Sequence, residues 1–337
     1  FSVSMNLWIM FILLFISSLT MFMSGLIANF EYDLKKIIAL STLSQLGLMM
    51  SILALGEMML SFFHLLMHAL FKALLFMCAG CVIHNLNNCQ DIRFMGSLVM
   101  FMPLTMSFFN ICNLSLCGLP FLSGFYSKDL ILECMSMSYI NIYVYMIFYL
   151  STGLTVMYSV RLLFYTIMGN YNGVNYNSLS DSGEKMMKGM GGLIILVIFG
   201  GGVMSWIMFP TPYFICLPVT MKLMVLLTIM IGVYLGYMIS SVSFHDFSKT
   251  LLFYNLSFFL SSMFNLNYLT TFGTMFYFLK FGEKLNYNMD QGWFEYYGSQ
   301  NMFYSMKSMS LFIQNLFYNN IKMFLTLLIL WICFIMF

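Results

Sequence analysis

Residues 60–84 read LSFFHLLMHALFKALLFMCAGCVIH, an apolar run that carries His64, His68 and Lys72 at intervals of four. That interval places the three side chains roughly on one face of a helix. Lys72 lies about 18–21 Å along the helix from either polar end, at ~1.5 Å per residue. This is near the centre of a bilayer. A second lysine, Lys128, follows a Gly/Pro-interrupted apolar stretch, LCGLPFLSGFYSKDLILE (116–133). An ionisable side chain at mid-membrane costs ~2.5–3.5 kcal/mol on insertion scales, so it faces a wet or protein-lined interior. Two such lysines, one with a file of histidines, imply a route for protons.

The composition agrees with a membrane setting. Of 337 residues, 61% are hydrophobic and 8% charged, and mean hydropathy is +0.89. A soluble domain carries roughly 25% charged residues. The chain reads as an all-α polytopic membrane protein whose helices are apolar on most sides because lipid surrounds them. A net charge of +2 gives no reason to invoke nucleic acid. The eight Cys are scattered through apolar helices, unlike the disulfide framework of a small secreted domain. Heavy use of Met, Phe and Tyr with little Arg fits an AT-rich organellar genome in which Met has an extra codon. The chain begins with Phe1, and no charged n-region and cleavage site precede the first span. That span is therefore not read as a signal peptide, and further sequence is expected upstream.

Spans need about 20 mainly apolar residues. They are expected near 5–29, 37–56, 59–83, 103–134, 139–167, 190–209, 217–241 and 321–337. The fourth is too long for a simple crossing and holds Gly118, Pro120 and Gly124. It should be two half-helices around an unwound turn, a transporter device that frees carbonyls and helix ends for ions or water. Basic residues set the orientation. Lys35 and Lys36, Arg93, Lys185 and Lys188, and Lys249 fall in loops on one side, whereas the loops near Glu57, 134–139 and 210–216 have no Lys or Arg. The basic side should be the cytosol or, in a mitochondrion, the matrix. Arg161, near the end of the fifth span, reads as another such anchor rather than as a relay residue.

Residues 243–320 break the pattern. The part from about 251 to 276 is apolar enough to be another span but carries Asn255, Asn265 and Asn267. From about 299 to 319, Met302, Met306, Met309, Ile313 and Leu316 keep helical spacing, with Ser305, Lys307, Ser308, Gln314 and Asn315 largely elsewhere. This predicts a helix lying along a membrane or a partner, tied down by the last span. The organisation read from the chain is 1–170 as a five-helix proton-channel half, 171–242 as additional membrane helices, 243–320 as a lateral-helix region and 321–337 as an anchor.

Each motif has a plainer reading. His64, His68 and Lys72 would also suit three polar residues satisfied by neighbouring helices. Their common face and the depth of Lys72 favour a relay. Lys128, Asp129 and Glu133 would also suit an interfacial cluster with a snorkelling lysine; the functional reading is an exit-side proton site opening toward the side without basic loops. Lys128 and Asp129 are adjacent and point in different directions. Cys78-Ala-Gly-Cys81 lacks the His that c-type haem attachment needs directly after the second Cys, and small residues at that spacing serve helix packing. Gly200–Gly202 has no Lys-Ser/Thr partner for a phosphate loop. Asn113-Leu-Ser115 and Asn255-Leu-Ser257 match glycosylation acceptors only formally, in apolar segments. No metal site is expected.

Three blocks carry a resemblance. DLKKIIALSTLSQLGLMM (33–50), HLLMHALFKALLFMCAGCVIHNLNNCQDIRFMG (64–96) and MPLTMSFFNICNLSLCGLPFLSGFYSKDLILE (102–133) resemble the chain 5 family of mitochondrial NADH:ubiquinone oxidoreductase, the antiporter-like, proton-pumping membrane subunits of respiratory complex I. The arthropod versions are especially similar. Resemblance is strong over about 20–135 and weaker but continuous to the end, through MKLMVLLT (221–228). The family has two inverted five-helix repeats, each with a broken helix. The resemblance implies that the first five spans here are the second repeat. It makes Lys72 the central lysine, His64 and His68 its associated histidines and Lys128 the broken-helix lysine near the outer exit. Asp129 joins them as an expected relay residue. It implies that the amphipathic stretch and last span are the lateral helix and anchor, running along neighbouring pump subunits on the matrix side. The first repeat, with its own glutamate, lysine and histidine helix, is not in this sequence.

The leading expectation is a proton-translocating subunit, multi-pass in the mitochondrial inner membrane, of an H+-translocating NADH:ubiquinone reductase. It would hold no cofactor of its own; FMN, iron–sulfur clusters and ubiquinone belong to the complex as a whole. Expected partners are the neighbouring antiporter-like chains, accessory subunits and membrane lipids. The alternatives are a subunit of a multi-subunit sodium/proton antiporter, and a structural strap whose half-channel is idle.

Overall fold

The computed structural model describes residues 6–137, 142–174, 178–181, 183–241, 253–318 and 320–337. Among these the regular structure is helical. The chain forms two compact units, Phe1–Met263 and Phe264–Phe337.

In the first unit, α1 is Leu7–Ala28, α2 Leu34–Ala54, α3 Met58–Asn85, α4 Pro103–Cys117, α5 Ser123–Met137, α6 Ile142–Leu163, α7 Glu184–Met208, α8 Val219–Ser240 and α9 Tyr254–Ser261. Six of these, α1, α2, α3, α6, α7 and α8, are long and apolar enough to cross a membrane. The expected fourth span is α4 and α5, two helices of 15 residues each. α3 is the hub. It packs on α2, α4, α5 and α7, and Phe63, Met67, Phe71, Leu74 and Cys78 are fully enclosed. The Cys78 thiol donates to Met190 Sδ of α7 at 3.6 Å, so the C-x-x-C segment packs helices together. Close backbone approach shapes two other interfaces. A Cβ on Gly47 of α2 would meet Met21 and Ser17 of α1 at 3.0 Å, and one on Gly236 of α8 would meet the Met157 carbonyl of α6 at 2.7 Å. Gly232 and Gly236 form a small-xxx-small stripe, the residue type that lets membrane helices close without a hydrophobic driving force.

The break between α4 and α5 follows from local chemistry. Pro103 opens α4 at a position where its missing N–H costs nothing, and the Asp181 carboxylate accepts the N–H of Leu104 at 3.0 Å. At the other end Gly118 takes the left-handed conformation, φ +83°. The N–H of Gly118 bonds the Ser115 carbonyl at 3.2 Å and that of Leu119 the Leu114 carbonyl at 3.3 Å. That pairing is a Schellman cap, which glycine permits. The chain then turns through Pro120 and Phe121 and restarts at Ser123.

The loop ends sort as the basic residues predict. Asp33 and Asp91 are bridged. Leu34 N–H bonds Gln90 O at 2.9 Å, Ile92 N–H bonds Tyr32 O at 3.0 Å, and Asn85 Nδ2 donates to Ser180 O at 3.1 Å. The loops bearing Lys35, Lys36 and Arg93 and the segment before Lys185 therefore share one end of the bundle. Lys36 pairs with Asp33 at 2.7 Å, and this hydrogen bond holds the Asp33 carboxyl below its usual range. At the other end Tyr213 donates to Glu57 Oε2 at 3.2 Å. Burial, followed by the field of Glu57, pushes the Tyr213 hydroxyl up to about 12. Lys249 lies outside the described residues.

One expectation changes. Arg161 is no solvent-facing anchor, being 4% exposed. Its guanidinium donates to the carbonyls of Asn29 at 2.5 Å and Glu31 at 2.8 Å and lies over the Tyr32 ring, 4.7 Å from its centroid. It clamps the C-terminal end of α1, where unsatisfied carbonyls favour a cation. Within the stretch 251–276, the described residues 253–276 are interrupted. α9 is followed by Met263, Phe264 and Asn265, all left-handed with φ +55° to +57°, a run that no α-helix accommodates.

In the second unit, α10 is Leu266–Phe317 and α11 is Ile321–Met336, bent by 112° from it. The Phe317 and Phe324 rings lie against each other at the corner, centroids 4.7 Å apart. α10 starts far earlier than residue 299. Three π-turns, Leu269–Gly273, Asn286–Trp293 and Tyr296–Gln300, lie along it. No described residue of α10 or α11 is buried.

Candidate functional site

The face of α3 that carries His64, His68 and Lys72 turns into the bundle. Exposure is 0%, 8% and 4%, respectively. The Lys72 ammonium donates to Ser41 Oγ of α2 and reaches the Ile38 carbonyl at 3.5 Å. His64 sits between two helices. Its Nδ1 is 2.9 Å from Ser127 Oγ of α5 and its Nε2 is 3.2 Å from Gln45 Oε1 of α2. His68 lies between them, its ring centroid 6.3 Å from that of His64 and edge-on to Phe71 at 5.3 Å. Its Nε2 is buried with no hydrogen-bond partner among the described residues.

Lys128 enters from the broken helix and is 5% exposed. It donates to the Leu116 carbonyl, one of the acceptors left over where α4 stops. The break is thus what makes this lysine's berth. Gly124 is required for it, because a Cβ there would come within 1.8 Å of the Ser115 carbonyl oxygen. The four basic groups are near enough for their fields to act on one another. Lys128 acts on His64, His68 and Lys72, and Lys72 on His68. The three ion pairs among the described residues lie elsewhere, at Lys36–Asp33, Arg93–Asp91 and Lys188–Glu184. Two lysines are therefore buried against hydroxyl and carbonyl oxygens, without a paired carboxylate. A structural role seldom justifies that cost.

Of the five expected site residues, the structure brings Lys72, His68, His64 and Lys128 together. Asp129 points away from them, half-buried, toward Glu133 and Tyr149. Tyr149 is 8% exposed, and its ring lies against that of Tyr145, centroids 4.6 Å apart. Sequence reasoning missed Ser41, Gln45 and Ser127. Ser41 and Gln45 are four apart, the same interval as the α3 file, and Gln45 is an amide at 0% exposure in an apolar span. That spacing was the available signal. Tyr158 of α6 closes the site, its fully buried hydroxyl facing Ser44, Ser41 and Gln45.

Comparison with known proteins fits this geometry. Residues 158–337 match the family described as NADH dehydrogenase subunit 5 C-terminus. Residues 1–157 match the family described as NADH:quinone oxidoreductase/Mrp antiporter, TM. The chain is 52% identical over 329 residues to NADH-ubiquinone oxidoreductase chain 5 of Anopheles gambiae, covering 98% of this chain and 57% of that protein. It is 53% identical to the Aedes aegypti protein of the same name, covering 95% and 55%, and 50% identical to that of Locusta migratoria, covering 95% and 56%. The chain thus spans a little over half the length of these relatives. Among solved structures it is similar to a chain of the Mrp complex from Dietzia sp., with TM-score 0.53 and 18% identity over 71% of this chain and 50% of that one. It is also similar to a chain of the membrane-bound sulfane sulfur reductase, an archaeal respiratory membrane complex, with TM-score 0.51 and 20% identity over 68% and 44%. These two show the fold alone. By its match over residues 158–337, its insect relatives and its antiporter-type helical bundle, the chain belongs to the NADH dehydrogenase subunit 5 family.

Proposed function

We propose that this chain is a proton-translocating membrane-arm subunit of respiratory complex I, coupling NADH-to-ubiquinone electron transfer to proton movement. The carrying observation is the buried file of Lys72, His68, His64 and Lys128, with Lys72, His64 and Lys128 held by hydroxyls, an amide and a carbonyl and no ion pair to a carboxylate among the described residues. Lys72, His64 and Lys128 gain or lose a proton at atoms that another polar group already addresses, and His68 stands between Lys72 and His64 with a buried ring nitrogen that has no partner among the described residues. A charge arriving at one changes the cost of a charge at the next, which is what a relay needs. Asp129 and Glu133 stand beyond Lys128 and lead toward the Glu57 end, where the loops lack Lys and Arg. In this reading the chain is multi-pass in the mitochondrial inner membrane, with the basic loops and α10 on the matrix side. It holds no redox group; FMN, iron–sulfur clusters and ubiquinone sit elsewhere in the complex. Its partners are the neighbouring antiporter-like chains, accessory subunits and lipid.

The sodium/proton-antiporter reading draws on the Mrp likeness of the bundle. The subunit 5-specific match over residues 158–337 weighs against it. Substitution of Lys72 separates pump from idle strap. In an assembled complex, Lys72→Met should sharply lower protons moved per NADH while NADH oxidation continues in part. Normal stoichiometry in that variant would remove Lys72 from the relay and favour the strap.

A further inference from the structure

We propose that Ser127 and Gln45 are positioning residues that set the proton state of His64 and report it to the broken helix. The inference rests on the relay reading above and deepens it. His64 is enclosed, and each ring nitrogen has one protein partner: Ser127 Oγ at Nδ1, 2.9 Å, and Gln45 Oε1 at Nε2, 3.2 Å. An amide oxygen only accepts, so Nε2 carries a hydrogen and donates it to Gln45. This fixes the neutral tautomer, with Nδ1 as the acceptor. Ser127 has a second acceptor, the Gly124 carbonyl at 3.3 Å. A hydroxyl has one hydrogen and cannot serve both.

Two arrangements follow. In neutral His64, the Ser127 hydroxyl donates to Nδ1. When one proton arrives, an Nδ1–H bond forms and the imidazole becomes a cation. Ser127 must then rotate its hydrogen to the Gly124 carbonyl and accept from Nδ1–H with its oxygen. Ser127 keeps its own proton throughout, and Nε2 keeps its bond to Gln45. Loss of the proton reverses the rotation. The Gly124 carbonyl is the one that α-helical geometry gives to the amide of Lys128, so the charge on His64 alters a bond in the turn from which Lys128 springs. The other charged or titratable groups facing His64 are Lys128 from α5 and His68 from α3. The Tyr158 hydroxyl from α6 faces Gln45.

The test uses the intact complex in sealed vesicles, measuring proton pumping against pH beside NADH oxidation. Ser127→Ala should slow pumping about tenfold, the worth of one buried partner, and displace its pH profile. Ser127→Thr, which keeps a hydroxyl, should restore both. Gln45→Glu places a carboxylate at Nε2 and should hold His64 charged, stalling pumping on the acidic side of the profile. It also tests the assignment if Ser127→Ala does not assemble. If Ser127→Ala or Gln45→Glu pumps at the wild-type rate with the wild-type profile while Lys72→Met does not pump, this inference is overturned and the relay stands. If Lys72→Met also pumps normally, the relay reading itself fails.

Discussion

Single side chains at this site are fixed by contacts that leave little room for substitution. Gly124 is the sharpest case. Its φ is ordinary, so the constraint is space: a Cβ would sit 1.8 Å from the Ser115 oxygen, where only a backbone shift gives relief. Gly124→Ala should therefore force α4 and α5 apart, costing about 1–3 kcal/mol as overpacking does. It should also carry Ser127 and Lys128 away from His64 and Leu116. Thermal stability of the extracted complex and its pumping rate should fall together. A variant as stable as wild type would mean that the two helices cross more loosely than described. The chemistry of this site was partly legible in the sequence. His64, His68 and Lys72 announce themselves because charge is rare in an apolar run. Ser41 and Ser127 do not, because serines also satisfy themselves on their own helix, as Ser41 does with the Ile38 carbonyl at 2.7 Å.

At the scale of elements, what could be read was what local chemistry dictates. Gly118 and Pro120 predicted the break, and the Schellman pairing at Gly118 is its cause. Arg161 was misread because proximity to a helix end in sequence does not distinguish a solvent-facing basic anchor from a side chain that turns inward onto another helix's carbonyls. Its role makes a prediction. Arg161→Met keeps the apolar stem but leaves the Asn29 and Glu31 carbonyls without their charged donor. A hydrogen bond to a charged group is worth ~1.5–3 kcal/mol, so the α1–α2 connection should loosen by about 3 kcal/mol. Proteolysis at residues 29–33 should quicken while the Lys72, His68, His64 and Lys128 file stays intact. Unchanged protection there would show that the stacking of Tyr32 alone holds the turn. α10 was under-read for a different reason. Three π-turns, Leu269–Gly273, Asn286–Trp293 and Tyr296–Gln300, interrupt its 3.6-residue period, so regular α spacing is legible only in the last stretch.

At the scale of the whole molecule, the first unit has a buried core, whereas no described residue of α10 or α11 is buried. α10 runs for about 50 residues, roughly 75 Å at ~1.5 Å per residue, and leaves Met302, Met306, Met309, Ile313 and Leu316 exposed. In proteins most helical stability comes from packing an apolar face rather than from the helix alone. A membrane surface is a poor mate on charge grounds. α10 carries Lys280, Lys284 and Lys307 against Glu283, Asp290 and Glu295, not the dense basic face of a helix that binds anionic lipid. Neighbouring protein is the better mate, with the Met/Ile/Leu stripe as anchors in a groove and α11 holding one end. Met306→Asp combined with Ile313→Asp should then weaken retention of this chain in the proposed complex without touching Lys72, His68, His64 or Lys128. The measurement is the fraction of the chain that stays with the complex through detergent extraction, beside pumping by the complexes that remain whole. Loss of the chain with normal pumping in the survivors is the expected pattern. If the double variant is retained like wild type, the stripe is not what tethers the chain, and the stability of α10 has to come from lipid.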